Sequence, residues 1–251
     1  MLQAPEYLSP SSIGTFQQCP LRYKFSRIDG LIDPPTEATL LGNFVHDICE
    51  QFYHAEPKDR TVTLARHLAS QIWDKYAEDV ANILRSEDKL REFRWRAWWC
   101  FENLLKMEDP VLQSFAGIET ELNHDIAGVK IKGFVDRWRV EDDMIQINDY
   151  KTGKTPQPKY QFDKFDQLLI YGIILSDIHQ KELSLVELLY LKDGKKISHK
   201  PTQDDIDRVT NVVVTTRREI DSRCVSEQFE TKVGILCGWC NYKKICPEWS
   251  K

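Results

Sequence analysis

Two aspartates and a lysine stand out within residues 133–171: Asp136 in GFVDRWRV, then Asp149 and Lys151 in MIQINDYKTGK. Side chains alternate along a strand, so Asp149 and Lys151 share one face, and an adjacent strand can set Asp136 beside them. Paired carboxylates are hard oxygen ligands for Mg2+ or Mn2+, ions that keep several bound waters. A neighbouring ammonium can orient a water, help deprotonate it, or stabilise charge. Together these are the parts of metal-assisted hydrolysis. A second, softer set lies in ILCGWCNYKKICPEWSK, where Cys237 and Cys240 form C-x-x-C and Cys246 follows after five residues. Two thiolates on one tight turn can hold one metal or one corner of a cluster. A zinc site wants a fourth ligand close by, and none lies just after Cys246.

The elements that must position these groups are legible from periodicity. Ser9 is an N-cap with Pro10 at the first helical position and Ile13 and Phe16 on one face. Beyond Cys19-Pro20, Leu21, Tyr23 and Phe25 alternate with Arg22, Lys24 and Ser26 in an ordered approach segment that follows the helix. Residues 37–54 form a helix with Leu41, Val45, Ile48 and Phe52 inward, and the helical pattern resumes over 61–107. Trp95, Trp98 and Trp99 fall at i, i+3, i+4, the spacing of a core-facing stripe, although such rings can also stack bases. Strands are expected at 115–124, 128–140 and 144–152, mostly antiparallel, with turns at 125–128 and 141–143. A helix over 162–178 points Leu168, Leu169, Ile173 and Ile174 inward and sets Gln167 and Tyr171 four apart. A strand at 185–191, an Asp193-Gly194 turn, a short strand and a Thr202-capped helix to about residue 223 follow.

The 251 residues suffice for one large core, and 41% hydrophobic with 29% charged content is ordinary for a globular chain. No apolar run reaches membrane-spanning length, and MLQAPEYLSPSS lacks the basic-then-apolar pattern of a signal segment, so a cytoplasmic location without membrane contact is expected. In that compartment seven cysteines argue for metal or cluster ligation by some of them rather than a disulfide frame. Cys49, Cys100 and Cys224 are the remainder, expected to be buried. The net charge of −5 does not advertise a polyanion binder. A groove needs only local basicity, for which Arg22, Lys24, Arg27, Arg137, Lys154, Lys159 and Lys164 are candidates.

Taken in order, S-x-S-x-I…C-P-L around Cys19, Gly42-x-x-x-His46, Gly133-x-x-Asp136, Asp149-x-Lys151, Gln167-x-x-x-Tyr171 and the C-terminal cysteines resemble the RecB-type branch of the PD-(D/E)xK nuclease superfamily. The resemblance is closest to its iron–sulfur members, such as the AddB C-terminal nuclease and the exonucleases of CRISPR adaptation. It runs in pieces from Leu8 to Pro247 and is poor at about 55–110. It implies an α/β restriction-endonuclease-like core, a mixed central sheet flanked by helices, with a helical insertion and a C-terminal Fe–S staple. Residues 1–251 would then be a single nuclease domain: N-terminal helices with the first cysteine and the histidine (1–54), the insertion (55–110), the catalytic core (111–200), and the last helix with the cysteine cluster (201–251).

By the same resemblance, His46, Asp136 and Asp149 would hold Mg2+ or Mn2+, Gly42 would admit a close approach, Lys151 would act on the water, and Gln167 and Tyr171 would position the strand. Cys19 would join Cys237, Cys240 and Cys246 around a [4Fe–4S] cluster. The activity implied is that of a metal-dependent DNA exonuclease, acting on single-stranded or resected ends in recombination, repair or end processing. The enzyme would be stand-alone, since no G-x-x-x-x-G-K-[ST] helicase motif is present, with a helicase, recombinase or integrase as candidate partners that the sequence leaves open. The alternatives are a non-cleaving DNA clamp of the same fold and a zinc-stabilised interaction protein.

Overall fold

The structure, a computed structural model, describes residues 2–249, apart from the side chain of Phe162. Its helices are α1 (Pro10–Gln18), α2 (Pro20–Tyr23), α3 (Glu37–His54), α4 (Val62–Leu84), α5 (Glu87–Met107), α6 (Asp166–His179) and α7 (Gln203–Ser226). The strands are β1 (Gly117–Ile126), β2 (Val129–Glu141), β3 (Met144–Lys151), β4 (Leu183–Tyr190) and β5 (Lys195–His199). They form one mixed sheet in the order β1-β2-β3-β4-β5, with β3 and β4 parallel and β2–β3 and β4–β5 antiparallel. By contacts the chain divides into two compact units, one of residues 35–120 and 134–201, the other of 1–34, 121–133 and 202–251.

In the first unit, Thr36 caps α3 by accepting from Thr39 N, and Leu41, Val45, Ile48 and Phe52 are buried as the periodicity requires. They join Phe93, Ala97, Phe101 and Leu104 of α5 and Tyr150 and Leu189 of the sheet in one core. The helical run over 61–107 breaks at Arg85, whose left-handed backbone (φ 52°) separates α4 from α5. The expected tryptophan core stripe holds for Trp98 alone, which packs half-buried against the core, while Trp95 and Trp99 are 60% and 43% exposed. Trp95 shares its helix face with Arg91 and Arg94, and burying that face would strand guanidinium groups away from water. The interior takes the stripe of Phe93, Ala97 and Leu104 instead. Asp142 and Asp143, both at positive φ, close the two-residue hairpin between β2 and β3. On α6, Ile173 is only half-buried while Leu168, Leu169 and Ile174 are buried. Gly172 lies where a Cβ would meet Leu183 Cδ2 at 2.2 Å, so its missing side chain lets α6 seat against β4.

The register sorts the sheet's two faces. Arg137 pairs with Asn148 and Asn148 with Glu187, so these side chains share one face and Asp136, Trp138, Ile147 and Asp149 take the other. On the first face a polar row crosses four strands. Arg137 Nε donates to Asn148 Oδ1 (3.1 Å), Asn148 Nδ2 to Glu187 Oε2 (2.9 Å), and Ser198 Oγ to Glu187 Oε1 (2.8 Å). Arg137 also grips both oxygens of Glu108, at 2.5 and 2.7 Å, and lies against the rings of Tyr53, Phe115 and Tyr150. It is 2% exposed, which removes it from the candidate phosphate contacts. Leaving either charge there alone would cost on the order of 3–5 kcal/mol.

In the second unit, Ser9 and Ser12 form a reciprocal cap on α1. The ordered approach segment after Cys19 is helical: Pro20 opens α2, and a single π-turn (Lys24–Ile28) continues it. Proline at a first helical position favours that outcome. Thr202 and Asp205 cap α7 in the same reciprocal manner, and Leu8 bridges to Ile131. No described helix is long and apolar enough to cross a membrane.

Candidate active site

The β2–β3 ladder ends at Arg137–Asn148. Beyond it, the Tyr150 N–H donates to Asp136 Oδ2 at 2.7 Å. From α3, His46 Nε2 donates to Tyr150 O at 2.9 Å. That bond fixes the ring and leaves Nδ1 facing Asp136 Oδ2 at 3.4 Å, the arrangement in which an imidazole offers its second nitrogen to a metal. Gly42, one turn earlier, does not explain the approach. A Cβ there would sit 3.5 Å from Thr152 Oγ1, an ordinary contact.

Asp149 and Lys151 lie on the front face as the alternation requires, and Lys151 Nζ stands 2.6 Å from Asp149 Oδ2. Asp136 and Asp149 are 9% and 4% exposed. On α6, Tyr171 is buried and bonded to Gln167 and the Phe134 backbone, near enough to Asp149 and Asp136 to feel their charge. The sequence reading missed Glu119. Its carboxylate lies 4.0 Å from His46 Nδ1, and among the described residues His46, Glu119 and Asp136 are the group whose ligand atoms fall within 4.8 Å of one another. Glu119 reaches there from within β1 at φ 43°, a conformation that costs about 1–2 kcal/mol for an L-residue. FAGIETELNH carries no signal of that kink, since Glu119 and Glu121 alternate like any exposed strand residues.

Crowding sets the electrostatics. Burial, then the charge of Asp136, pushes the Asp149 carboxyl up to about 6, with Lys151 pulling the other way. Burial and Asp136 push Glu119 up to about 7. Burial works against the His46 imidazolium, but Asp136 and Asp149 outweigh it and raise the group to about 9. Burial also opposes the Asp136 carboxylate, yet its contacts with His46 and the Tyr150 amide hold it below the usual range. Lys151 is raised because Asp149 and Asp136 outweigh burial. A site that draws protons to balance excess negative charge is one that a divalent cation can discharge. The donors, one imidazole nitrogen and carboxylate oxygens, fit Mn2+ or Mg2+, and the nitrogen favours Mn2+.

In the other unit, Cys19, Cys237, Cys240 and Cys246 line one cavity of about 230 Å3. Cys49, Cys100 and Cys224 are buried, as expected.

The model of the PD-(D/E)XK nuclease superfamily matches residues 7–247. The chain belongs to that superfamily. It is thus a nuclease-type hydrolase by family, and such nucleases typically use divalent metals. It is similar to the Gene 69 protein of Mycobacterium phage L5, 23% identical with 95% of each chain covered, and to the Gene 69 protein of Mycobacterium phage D29, 21% identical with 95% of this chain and 96% of that protein covered. Its fold is like that of a Eubacterium rectale protein provisionally described as an exonuclease, with a TM-score of 0.62 at 14% identity, covering 98% of this chain and 87% of the other.

The three raised groups act in one direction. Each folded pKa lies above its ordinary value, 3.8 for Asp149, 4.5 for Glu119 and 6.5 for His46. Each therefore favours the folded state most below that ordinary value and loses the advantage as pH rises through about 6, 7 and 9. The unfolding midpoint of the metal-free protein should fall from pH 5 to pH 9, less steeply in Glu119→Gln, and Mn2+ should restore it most at the alkaline end. A midpoint that is flat or rises across that window, in a thermal titration with chelator, contradicts the assignment.

Proposed function

We propose that this chain is a divalent-metal-dependent deoxyribonuclease that removes nucleotides from DNA ends. The observation that carries the reading is the convergence of His46, Asp136 and Glu119 beside the Asp149–Lys151 pair. Asp136 and His46 Nδ1 hold the cation, Glu119 joins them, and Asp149 supplies the second core carboxylate. When bound, the cation supplies an activated water and neutralises charge on the phosphate. Asp136 keeps its carboxylate aimed by accepting from the Tyr150 amide, and His46 keeps its tautomer by donating to Tyr150 O. Lys151, held as an ammonium by Asp149, stabilises negative charge developing on the phosphate oxygens. Gln167, half-buried beside the site, orients the strand by hydrogen bonding, and the buried Tyr171 holds Gln167 in place. End processing in recombination or repair, alongside a helicase, recombinase or integrase, is the setting this chemistry suits.

The cysteines support the iron–sulfur branch of the family. Four soft thiolates around one cavity suit a [4Fe–4S] core held by Cys19, Cys237, Cys240 and Cys246. The role of such a cluster would be to fasten the C-terminal segment to α1 and α2.

End-labelled single-stranded DNA incubated with the protein and Mn2+ should be shortened, and chelator should stop it. Asp136→Ala, Asp149→Ala and Lys151→Ala should each lower turnover at least 100-fold, on the order of 3 kcal/mol of barrier, with the fold retained by circular dichroism. Full activity in any of the three would overturn its role. Anaerobically prepared protein should absorb near 400 nm and lose that band in Cys246→Ser, whereas a colourless protein with one zinc per chain would refute the cluster.

A further inference from the structure

Helices α4 and α5 carry two matched stripes that the catalytic site does not use. Arg66, Ser70 and Trp73 on α4 and Arg91, Arg94, Trp95 and Trp98 on α5 all fall at i, i+3, i+4, i+7 spacings, which puts each set on one helix face. Between the helices lies a groove of about 420 Å3 lined by Arg66, Arg91, Arg94, Trp95 and Trp98, with Phe44 and Ile48 of α3 also in its wall and no carboxylate among its lining residues. That volume is in the range of clefts that hold small ligands, about 300–1,000 Å3.

Its chemistry is specific. Arg66 Cζ lies over the Trp98 ring, 5.3 Å from its centre, and Arg94 Cζ over that of Trp73 at 5.1 Å. A guanidinium held over an indole by cation–π attraction still has N–H groups to offer a phosphate. Among the described residues neither arginine has an ion-pair partner; Arg91 pairs with Asp88, which is largely exposed, so that pairing is weak. Trp95 is 60% exposed with no ring covering it, an unusual position for the largest apolar side chain. In a chain of net charge −5, a groove of three arginines and an open indole is a local exception.

We propose that this groove binds single-stranded DNA outside the catalytic pocket, with phosphates on Arg66, Arg94 and Arg91 and an unstacked base on Trp95. Duplex DNA hides the faces of its bases inside the stack, so only a single strand can use the indole. Phe44 and Ile48 flank His46 in α3 by two residues each, so at about 100° per residue the imidazole points away from the groove. The two surfaces are therefore separate, on either side of one helix. The proposal rests on the nuclease reading for its choice of polyanion.

The test uses the full chain in chelator, with fluorescein-labelled dT30 and a 30-base-pair duplex as probes. Arg66→Ala/Arg94→Ala should weaken dT30 binding at least 10-fold. It should also lower the slope of log Kd against log salt by about 1.4, roughly 0.7 per lost phosphate contact. Trp95→Ala should weaken it about 10-fold, and Trp95→Phe should stay within about threefold of the unaltered protein because a ring remains. Turnover of bis(p-nitrophenyl) phosphate with Mn2+, a diester too small to reach the groove, should be unchanged in all of these. Variants that bind dT30 within twofold of the unaltered protein at the same salt slope, or a duplex bound as tightly and equally sensitive to Trp95→Ala, would overturn the groove. Failure of the unaltered protein to turn over the diester would instead strike the catalytic reading and leave the binding result standing.

Discussion

The hydrogen-bonded row behind the sheet, Glu108–Arg137–Asn148–Glu187–Ser198, is the constraint on which the front face depends. Strand register is an all-or-none matter, because a slip of one residue turns every side chain to the opposite face. A buried guanidinium that must find both a carboxylate and an amide penalises every slipped pairing. Since Arg137 adjoins Asp136 and Asn148 adjoins Asp149 in sequence, fixing the back row fixes the two carboxylates of the front. The three rings around Arg137 shield it from water and stiffen the same strands.

On the front face the structure concentrates like charge. Asp136 repels both Asp149 and Glu119 in a partly buried space, and His46, Lys151 and the Tyr150 amide relieve the charge. Burial, reinforced by the charge of Asp136, raises Asp149 and Glu119, while Asp136 and Asp149 outweigh burial to raise His46, so without a cation the site draws protons. The sheet and α3 tolerate this arrangement because the surrounding core of α3, α5 and the sheet is extensive. The left-handed backbone at Glu119 is a further local cost, borne at the residue that completes the donor set.

Much of this was legible in the chain because it follows short-range rules. The Glu37–His54 helix, the Asp142–Asp143 turn and the alternation that pairs Asp149 with Lys151 each depend on neighbours within a few residues. What escaped depends on distant partners. Arg137 reads as a surface cation until Glu108, twenty-nine positions earlier, is placed against it. Trp95 reads as core because helical spacing says which residues share a face but not which face is covered; that was decided by Arg91 and Arg94 beside it. Glu119 could not be found at all, since its role hangs on a kink that ordinary strand residues show no sign of.

Diffraction from crystals equilibrated with saturating Mn2+, measured at the manganese edge, tests the account at its centre. The account predicts one strong anomalous peak within coordination distance of His46 Nδ1 and an Asp136 oxygen, with Glu119 or Asp149 completing the protein ligands. No peak there, or manganese bound only by groups elsewhere on the chain, would contradict it.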